Sequence, residues 1–240
     1  MKPEPKKRPR VAVLTQNCFA QCDLPILPGI VADADVKWTV FYPRDDKVGF
    51  PETELEDAGR AAGADTQVVR MRYRLRSWAG AMELRRILSD LRRFRPDTIY
   101  VNAVGMPWLA ILVRAMFPPR KVVWAIHDVQ DHHFKKLHHP QTLYRKFLYN
   151  AFERFHFLSR GQESIFKSIY PGKATFFAPI APTDFGPRSS EPSPSPFQFL
   201  FFGFIAPRKG VDVLIDAAEE LHRRGVDGFR VAIAGKCSDW

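Results

Sequence analysis

Cysteine is scarce in this chain. Its 240 residues include three, Cys18, Cys22 and Cys237, too few and too scattered for a disulfide framework and in keeping with a reducing cytoplasm. No apolar run approaches the roughly 20 residues of a membrane-spanning helix. The basic start, residues 1–10, leads into a short strand and not into a signal-peptide core. Neither a P-loop nor a G-x-G-x-x-G fingerprint is present, so phosphate is not announced in either of those forms. A G-x-S-x-G elbow is also missing, which discounts the weak suggestion of a hydrolase built from Ser159, His127 and Asp128. Zinc-finger spacing and RNA-binding signatures do not occur, and there is no repeat at a solenoid period.

What is present suits a soluble globular chain. Apolar residues make up 45% and charged residues 26%, and the length allows one large α/β domain or one domain and part of another. The formal net charge of +10 selects anionic partners: nucleic acid, an anionic membrane surface or phosphorylated substrates. Much of the excess lies in Arg70, Arg72, Arg74 and Arg76, then in Arg85, Arg86, Arg92, Arg93 and Arg95. Two readings stand. These arginines are a solvated helix face, or, with Tyr73 and Trp78 among them, they meet an anionic membrane surface through the segment 70–95.

Short β-rich runs alternate with helical stretches. Strands are expected at 11–15, 38–42, near Val68 and Val69, and at 98–102, 121–126, 154–158 and 175–177. Between them, residues 78–94 show apolar positions at Leu84, Ile87, Leu88 and Leu91 with arginines opposite, a helical spacing that Pro96 ends. A helix over 107–117 is apolar nearly all round and is expected to be buried. Further helices are expected at about 142–153 and at 161–169. Near-continuous apolar strands separated by helices mean a parallel sheet covered on both faces. With right-handed crossovers this builds an α/β, doubly wound, Rossmann-like domain. Composition breaks at the Pro/Ser-rich stretch 187–196, which reads as an interdomain linker. The expected division is a basic tail 1–9, a first domain 10–186, the linker, and the start of a second α/β domain over 197–240. Two strands and one helix cannot bury their own apolar faces, so the chain is expected to be a fragment.

Two places carry candidate chemistry. From Phe199 an apolar strand runs into Gly203; Pro207, Arg208, Lys209 and Gly210 follow, and an amphipathic helix starts at once. Free backbone N–H groups, a helix N-terminus and cations in one turn suit an anion, most naturally a diphosphate. The bland alternative is that glycine and proline mark any strand-to-helix loop. The other place is His127-Asp128, at the carboxyl end of a strand, where ligands of α/β proteins gather; the alternative is a hydrogen-bonded core histidine. Beyond it lie Asp131, His132, His133, His138 and His139, all metal-ligand types. Pro140 and the loop argue against one continuous helix presenting them, which leaves a solvated loop or substrate contacts as the other readings.

Taken in order, these motifs resemble those of the GT-B glycosyltransferases of family four. The strand, the pattern Gly-x-x-x-x-x-Lys-Gly and a helix reading apolar-Asp-x-Leu-Ile-x-Ala over 203–217 are similar to that family's donor-domain entry. Lys209 matches its lysine, Phe204 stands where an arginine is usual, and Arg208 is the neighbouring cation. Residues 231–235 resemble the family's next strand, ending in Ile-Ala-Gly. Trp124-Ala-Ile-His127-Asp128 resembles its strand ending in His-Asp at the interdomain cleft, Ser159 matches a serine after the next strand, and Phe177-Ala-Pro179 resembles the segment that closes the acceptor domain. The family's glycine-rich loop after the first strand is replaced by residues 15–22.

The resemblance implies a GT-B enzyme that moves a sugar from a nucleoside diphosphate sugar to a hydroxyl of a polysaccharide or lipid-linked glycan, with retention, without a metal and without a cofactor beyond the donor substrate. It implies catalytic roles for His127 and Asp128, a diphosphate site at Gly203, Arg208, Lys209 and Gly210, and acceptor or donor contacts from Asn17 and Ser159. The family's paired-glutamate motif would lie beyond Trp240, so the fragment by itself is expected to be inactive. A nucleotide sugar and a glycan or lipid-linked acceptor are the expected partners, in the cytoplasm or on the inner face of the membrane. The rivals are an inactive nucleotide-sugar-binding homologue, or α/β binding module, and a metal-dependent hydrolase built on the His-rich loop.

Overall fold

The computed structural model describes residues 7–45, 50–129, 140–182, 196–203 and 205–237, apart from the side chains of residues 140, 141 and 208. Most of the expected tail, nearly all of the expected linker, the histidines at 132, 133, 138 and 139, Asp131, and Phe204 lie outside these residues. By its internal contacts the chain divides into two compact units, Met1–Asp184 and Phe185–Trp240.

In the first unit, seven strands form one sheet: β1 (Arg10–Gln16), β2 (Asp35–Tyr42), β3 (Asp65–Arg70), β4 (Thr98–Asn102), β5 (Val122–Ile126), β6 (Arg154–Phe157) and β7 (Ala174–Phe177). Their order is β3-β2-β1-β4-β5-β6-β7, and every neighbouring pair is parallel. Parallel neighbours need crossovers, and α2 (Leu27–Asp33), α3 (Glu52–Ala61), α4 (Trp78–Phe94), α5 (Pro107–Met116), α6 (Pro140–Ala151) and α7 (Arg160–Ile169) supply them, with the single turn α1 (Ala20–Asp23) ahead of α2. Successive side chains of a strand leave on opposite faces, and two cores result. Ala12, Leu14, Ile99, Val101 and Trp124 pack with Leu84 and Leu88 of α4, Leu109 of α5, Tyr149 of α6 and Phe166 of α7. On the other face Val13, Val36, Trp38 and Val40 pack with Ala20, Leu27 and Leu55 of α1, α2 and α3. This is a doubly wound, Rossmann-like α/β fold. The strand order reverses between β1 and β4, and that switch point opens a crevice at the carboxyl ends of the strands.

Helix α4 shows how directly sequence becomes structure. Ser77 is its N-cap and accepts the Gly80 N–H at 3.0 Å, Leu84, Leu88 and Leu91 are buried, and the helix closes at Arg95, which adopts φ 55° just before Pro96. Helix α5 departs from expectation. It buries Leu109, Ala110 and Val113, but Ile111 is 41% exposed and Arg114 lies on the outer side; an apolar outer residue is tolerated on a helix whose inner stripe already fills the core. Helices α2 and α3 have no counterpart in the expected pattern. The first opens with Pro28 in its first turn, a position where proline fits. The second buries only Leu55 and Gly59, too thin a stripe to announce itself by periodicity.

The second unit, taken by itself, is one βαβ crossover. Strands β8 (Phe197–Phe202) and β9 (Phe229–Ala234) pair in parallel across α8 (Val211–Arg223). Phe197, Leu200, Phe202 and Val213 stay more than half exposed, the cost of a two-stranded sheet carrying one helix.

Candidate functional site

The carboxyl ends of β1, β4 and β5 converge on His127. The imidazole is half-buried and its Nε2 lies 2.8 Å from Oδ1 of Asn102, the last residue of β4. Asn102 Nδ2 donates to Asp23 Oδ1 at 3.0 Å. Thr15 on β1, directly opposite Asn102 in register, gives its hydroxyl proton to the other oxygen of Asp23. Trp38 on β2 completes the run, its Nε1–H donating to Thr15 Oγ1 at 2.9 Å. Asp23 and Asn102 are 1% and 2% exposed and Thr15 is fully buried. Polar groups so deep require partners, and here they satisfy one another in a single file that ends on His127. Phe19 stacks on the imidazole with ring centroids 4.0 Å apart.

Burial sets the charge states. It pushes the Asp23 carboxyl up to about 6 against the pull of bonds from Thr15, Asn102 and Trp38. It pushes His127 down to about 4, with the neighbouring Asp128 carboxylate opposing. At neutral pH the aspartate is therefore ionised and the histidine uncharged. A second buried histidine lies on the same side of the sheet. His156 donates from Nε2 to the Ala178 carbonyl at 2.9 Å, and its Nδ1 accepts the Tyr100 hydroxyl at 2.9 Å. Burial lowers its pKa as well and raises that of Tyr100.

A cavity of about 320 Å³ adjoins His127, lined by Phe19, Val104, Asp128, Tyr144, Arg145 and Tyr149 among others. The Tyr144 hydroxyl is buried and has no hydrogen-bond partner among the described residues. Just after β5, Val129 is held at both backbone groups: its N–H donates to Gln162 Oε1 at 2.7 Å, and Arg145 donates to its carbonyl at 3.3 Å.

His127 and Asp128 thus lie together at this cavity, Asp128 exposed at its mouth. Ser159 is exposed at the N-cap of α7 and makes no side-chain cap bond; the Nε2 of His127 is committed to Asn102 and not to a serine. Asn17, in the 3-10 turn Asn17–Phe19, is 2% exposed and so belongs to the interior. Asp23, Asn102 and Thr15 were not among the expected site residues. The signal that marks Thr15 and Asn102 is the position of small polar residues at the carboxyl ends of β1 and β4; Asp23, at the end of α1, carries no such signal. The segment 15–22, which replaces the family's glycine-rich loop, ends β1 and forms the 3-10 turn and most of α1; it places Phe19 against His127 and, one residue on, Asp23 against Thr15 and Asn102.

In the second unit Gly203 ends β8 with φ 121°, and its N–H reaches the Ala234 carbonyl at 3.0 Å. The two strand ends approach so closely here that a Cβ on Gly235 would lie 1.8 Å from the Gly203 carbonyl oxygen. Residues Pro207–Lys209 form a 3-10 turn, and Gly210, at φ 67°, is the N-cap of α8, with no side chain capping the helix. Lys209 is exposed beside that N-terminus.

Among the described residues no group of three His, Cys, Asp or Glu side chains converges as a metal site, and no helix is long and apolar enough to cross a membrane. Cys22 and Cys237 are free thiols. The exposed guanidinium groups of Arg72, Arg74, Arg76, Arg85 and Arg86 flank Tyr73 and Trp78, which are 48% and 68% exposed. Beside them a groove of about 520 Å³ is lined by Arg70, Arg72, Tyr73, Glu83 and Arg86.

No protein-family model matches this sequence, and no curated protein matches it. Solved structures do. The UDP-GlcNAc 2-epimerase from Neisseria meningitidis, bound to UDP-GlcNAc, is similar over 93% of this chain and 66% of its own, with 9% identity and a TM-score of 0.56. Another UDP-N-acetylglucosamine 2-epimerase is similar over 94% of this chain and 63% of its own, with 11% identity and a TM-score of 0.56. The chain therefore spans less than two thirds of the length of these proteins, and what it shares with them is the fold.

Proposed function

We propose that this chain is the acceptor-side domain and the donor-domain entry of a glycosyltransferase that moves a sugar from a nucleoside diphosphate sugar to a hydroxyl of a glycan or lipid-linked acceptor. The observation that carries the reading is His127, held by Asn102 at the carboxyl end of β5 on the wall of a cavity, in a fold whose ligands gather at that edge. Support comes from the βαβ entry of the second unit, where Lys209 stands beside an uncapped helix N-terminus that would stabilise the charge growing on a departing diphosphate. His127 and Asp128 would orient groups about the anomeric carbon. Attack with retention, without a metal, follows from the resemblance to family four. The exposed arginines with Tyr73 and Trp78 suit an anionic membrane surface on which a lipid-linked acceptor would be met.

A second reading is favoured by the likeness to the two epimerases: action on the sugar of a UDP-sugar with no acceptor at all. A third, an inactive sugar-nucleotide binder, is favoured by Phe204 in the place of the family's arginine. One assay separates them. The full-length protein is incubated with a panel of nucleotide sugars, with and without hydroxyl acceptors and with chelator throughout. Acceptor-dependent release of nucleoside diphosphate supports transfer; an isomerised sugar nucleotide without release would replace it with epimerisation; binding without turnover would leave the inactive homologue.

A further inference from the structure

The buried file of polar groups leading to His127 has only one consistent pattern of protons. An ionised carboxylate can only accept, so Asn102 must present its NH₂ to Asp23. The other atom of that amide, Oδ1, then faces His127 and is itself only an acceptor. His127 must therefore carry a proton on Nε2. At the far end Thr15 already accepts from the indole N–H of Trp38, which directs its own proton to Asp23. Nδ1 of His127 has no partner among the described residues and carries the ring's lone pair, while Phe19 covers one face of the ring.

We propose that Asp23, acting through Asn102, is a positioning residue that locks His127 as the neutral Nε2–H tautomer, so that Nδ1 accepts a hydrogen bond from a hydroxyl of the bound sugar substrate. The part concerning the sugar rests on the function proposed above; the lock does not. It leaves Nδ1 of the uncharged ring as the acceptor; what keeps the ring uncharged at neutral pH is its burial, which lowers its pKa. The same cavity offers a complementary donor, the buried Tyr144 hydroxyl, which has no partner among the described residues and would let one substrate hydroxyl pattern be read from two sides.

The other titratable groups around the file leave this pattern undisturbed. Asp128, next along the chain, is exposed, and its charge favours imidazolium against the dominant effect of burial. His156 is engaged by Tyr100 and the Ala178 carbonyl. Cys22 and Tyr100 lie near Asp23, and both have pKa values raised by burial and by its negative charge, so they stay neutral. An aspartate retained in this interior by structure alone would have no bearing on a ring proton two residues away along the file.

The whole chain labelled with ¹⁵N-histidine tests this by long-range ¹H–¹⁵N correlation, His127 being identified as the resonance pair missing from His127→Gln. At pH 7 the expected result is a single Nε2–H tautomer. Asp23→Asn can rotate its amide and relax the lock, so a mixed or reversed tautomer is expected with the near-ultraviolet circular dichroism intact. Asn102→Ala, which removes the acceptor itself, serves the same purpose should Asp23→Asn fail to fold. A native Nδ1–H or imidazolium form, or a tautomer unmoved in both variants, would overturn the lock. Saturation with a UDP-sugar is then expected to shift Nδ1 far more than Nε2. With the full-length protein, a nucleotide sugar that binds while leaving Nδ1 unmoved overturns the acceptor role alone, and failure of a whole panel of nucleotide sugars to bind overturns the functional reading while the tautomer result stands.

Discussion

Replacing Asp23 by asparagine keeps the shape of the side chain and removes its charge, and the structure fixes both the sign and the size of the result. Asp23 is 1% exposed, and its pKa rises from 3.8 to about 6 on folding. The folded state holds this proton more tightly than the unfolded chain, so the contribution of Asp23 is greatest below pH 3.8 and is lost as pH climbs to about 6. At 1.36 kcal/mol per pH unit, that loss is about 3 kcal/mol at neutral pH. His127 works in the opposite sense. Its pKa falls from 6.5 to about 4, so the folded state releases its proton first, and stability is lost as pH falls through the window from 6.5 to 4, again by up to about 3 kcal/mol. In the native protein the two slopes nearly cancel between pH 4 and 6. In Asp23→Asn the histidine slope stands alone. The variant should match the native protein near pH 4 and exceed it by about 2–3 kcal/mol at pH 7, a rise of roughly 4–12 °C in Tm for a domain of this size. His127→Gln should show the mirror image, stability falling from pH 4 to 6. Urea unfolding at half-unit pH steps, followed by tryptophan fluorescence, measures both. A stability difference between Asp23→Asn and the native protein that does not vary with pH, or a net loss at pH 7, would refute the reasoning. A gain at pH 7 would mean that the native charge is held in place at a thermodynamic cost, as positions shaped by function often are.

Other outcomes follow from the same coordinates. His127→Ala and Lys209→Ala should each depress turnover of the full-length protein on its nucleotide sugar by about 100-fold or more, the usual scale for removing a polar group aimed at developing charge; unaffected rates would sink the site assignment. Gly235→Ala places a methyl carbon 1.8 Å from the Gly203 carbonyl oxygen, so it should part β8 from β9 and speed limited proteolysis after residue 185 while sparing the first unit. Leu84→Ala, in the core under α4, should cost about 2–5 kcal/mol in urea unfolding. Arg85→Glu with Arg86→Glu should weaken binding to phosphatidylserine vesicles by about 30-fold or more at low salt, read by co-sedimentation, each lost basic residue being worth about 1 kcal/mol near such a surface, and should leave phosphatidylcholine vesicles unaffected; equal binding of both proteins to both vesicles would return the patch to a solvated face.

Several features were legible in the sequence because they depend on local spacing. The parallel sheet follows from short apolar runs parted by amphipathic helices. The bounds of α4 follow from Leu84, Leu88 and Leu91 with Pro96 beyond them, and the position of His127 at a strand's carboxyl end follows from the run 121–126. Helices with thin or proline-bearing apolar stripes, α2 and α3, did not follow, because tertiary packing and not periodicity stabilises them. The burial of Asn17 is of the same kind: the 3-10 turn after β1 carries it inside, which its polar type and its place in the chain do not announce.

Sequence by itself determined the sheet, the pairing of an acidic residue with His127 along the chain, and a glycine-bounded turn with Lys209 ahead of a helix. Only the tertiary structure decided which groups act on the histidine. Asp23, Asn102 and Trp38 are separated from His127 by 25 to 104 positions, and their types are unremarkable where they stand in the chain. The reversal of strand order between β1 and β4 sets Thr15 beside Asn102, and the turn after β1 folds Asp23 underneath both. Hydrogen bonds form between neighbours in space, and once water is excluded each donor and acceptor must find its complement among the few groups present. That requirement, and no pattern readable along the chain, fixes the proton on His127.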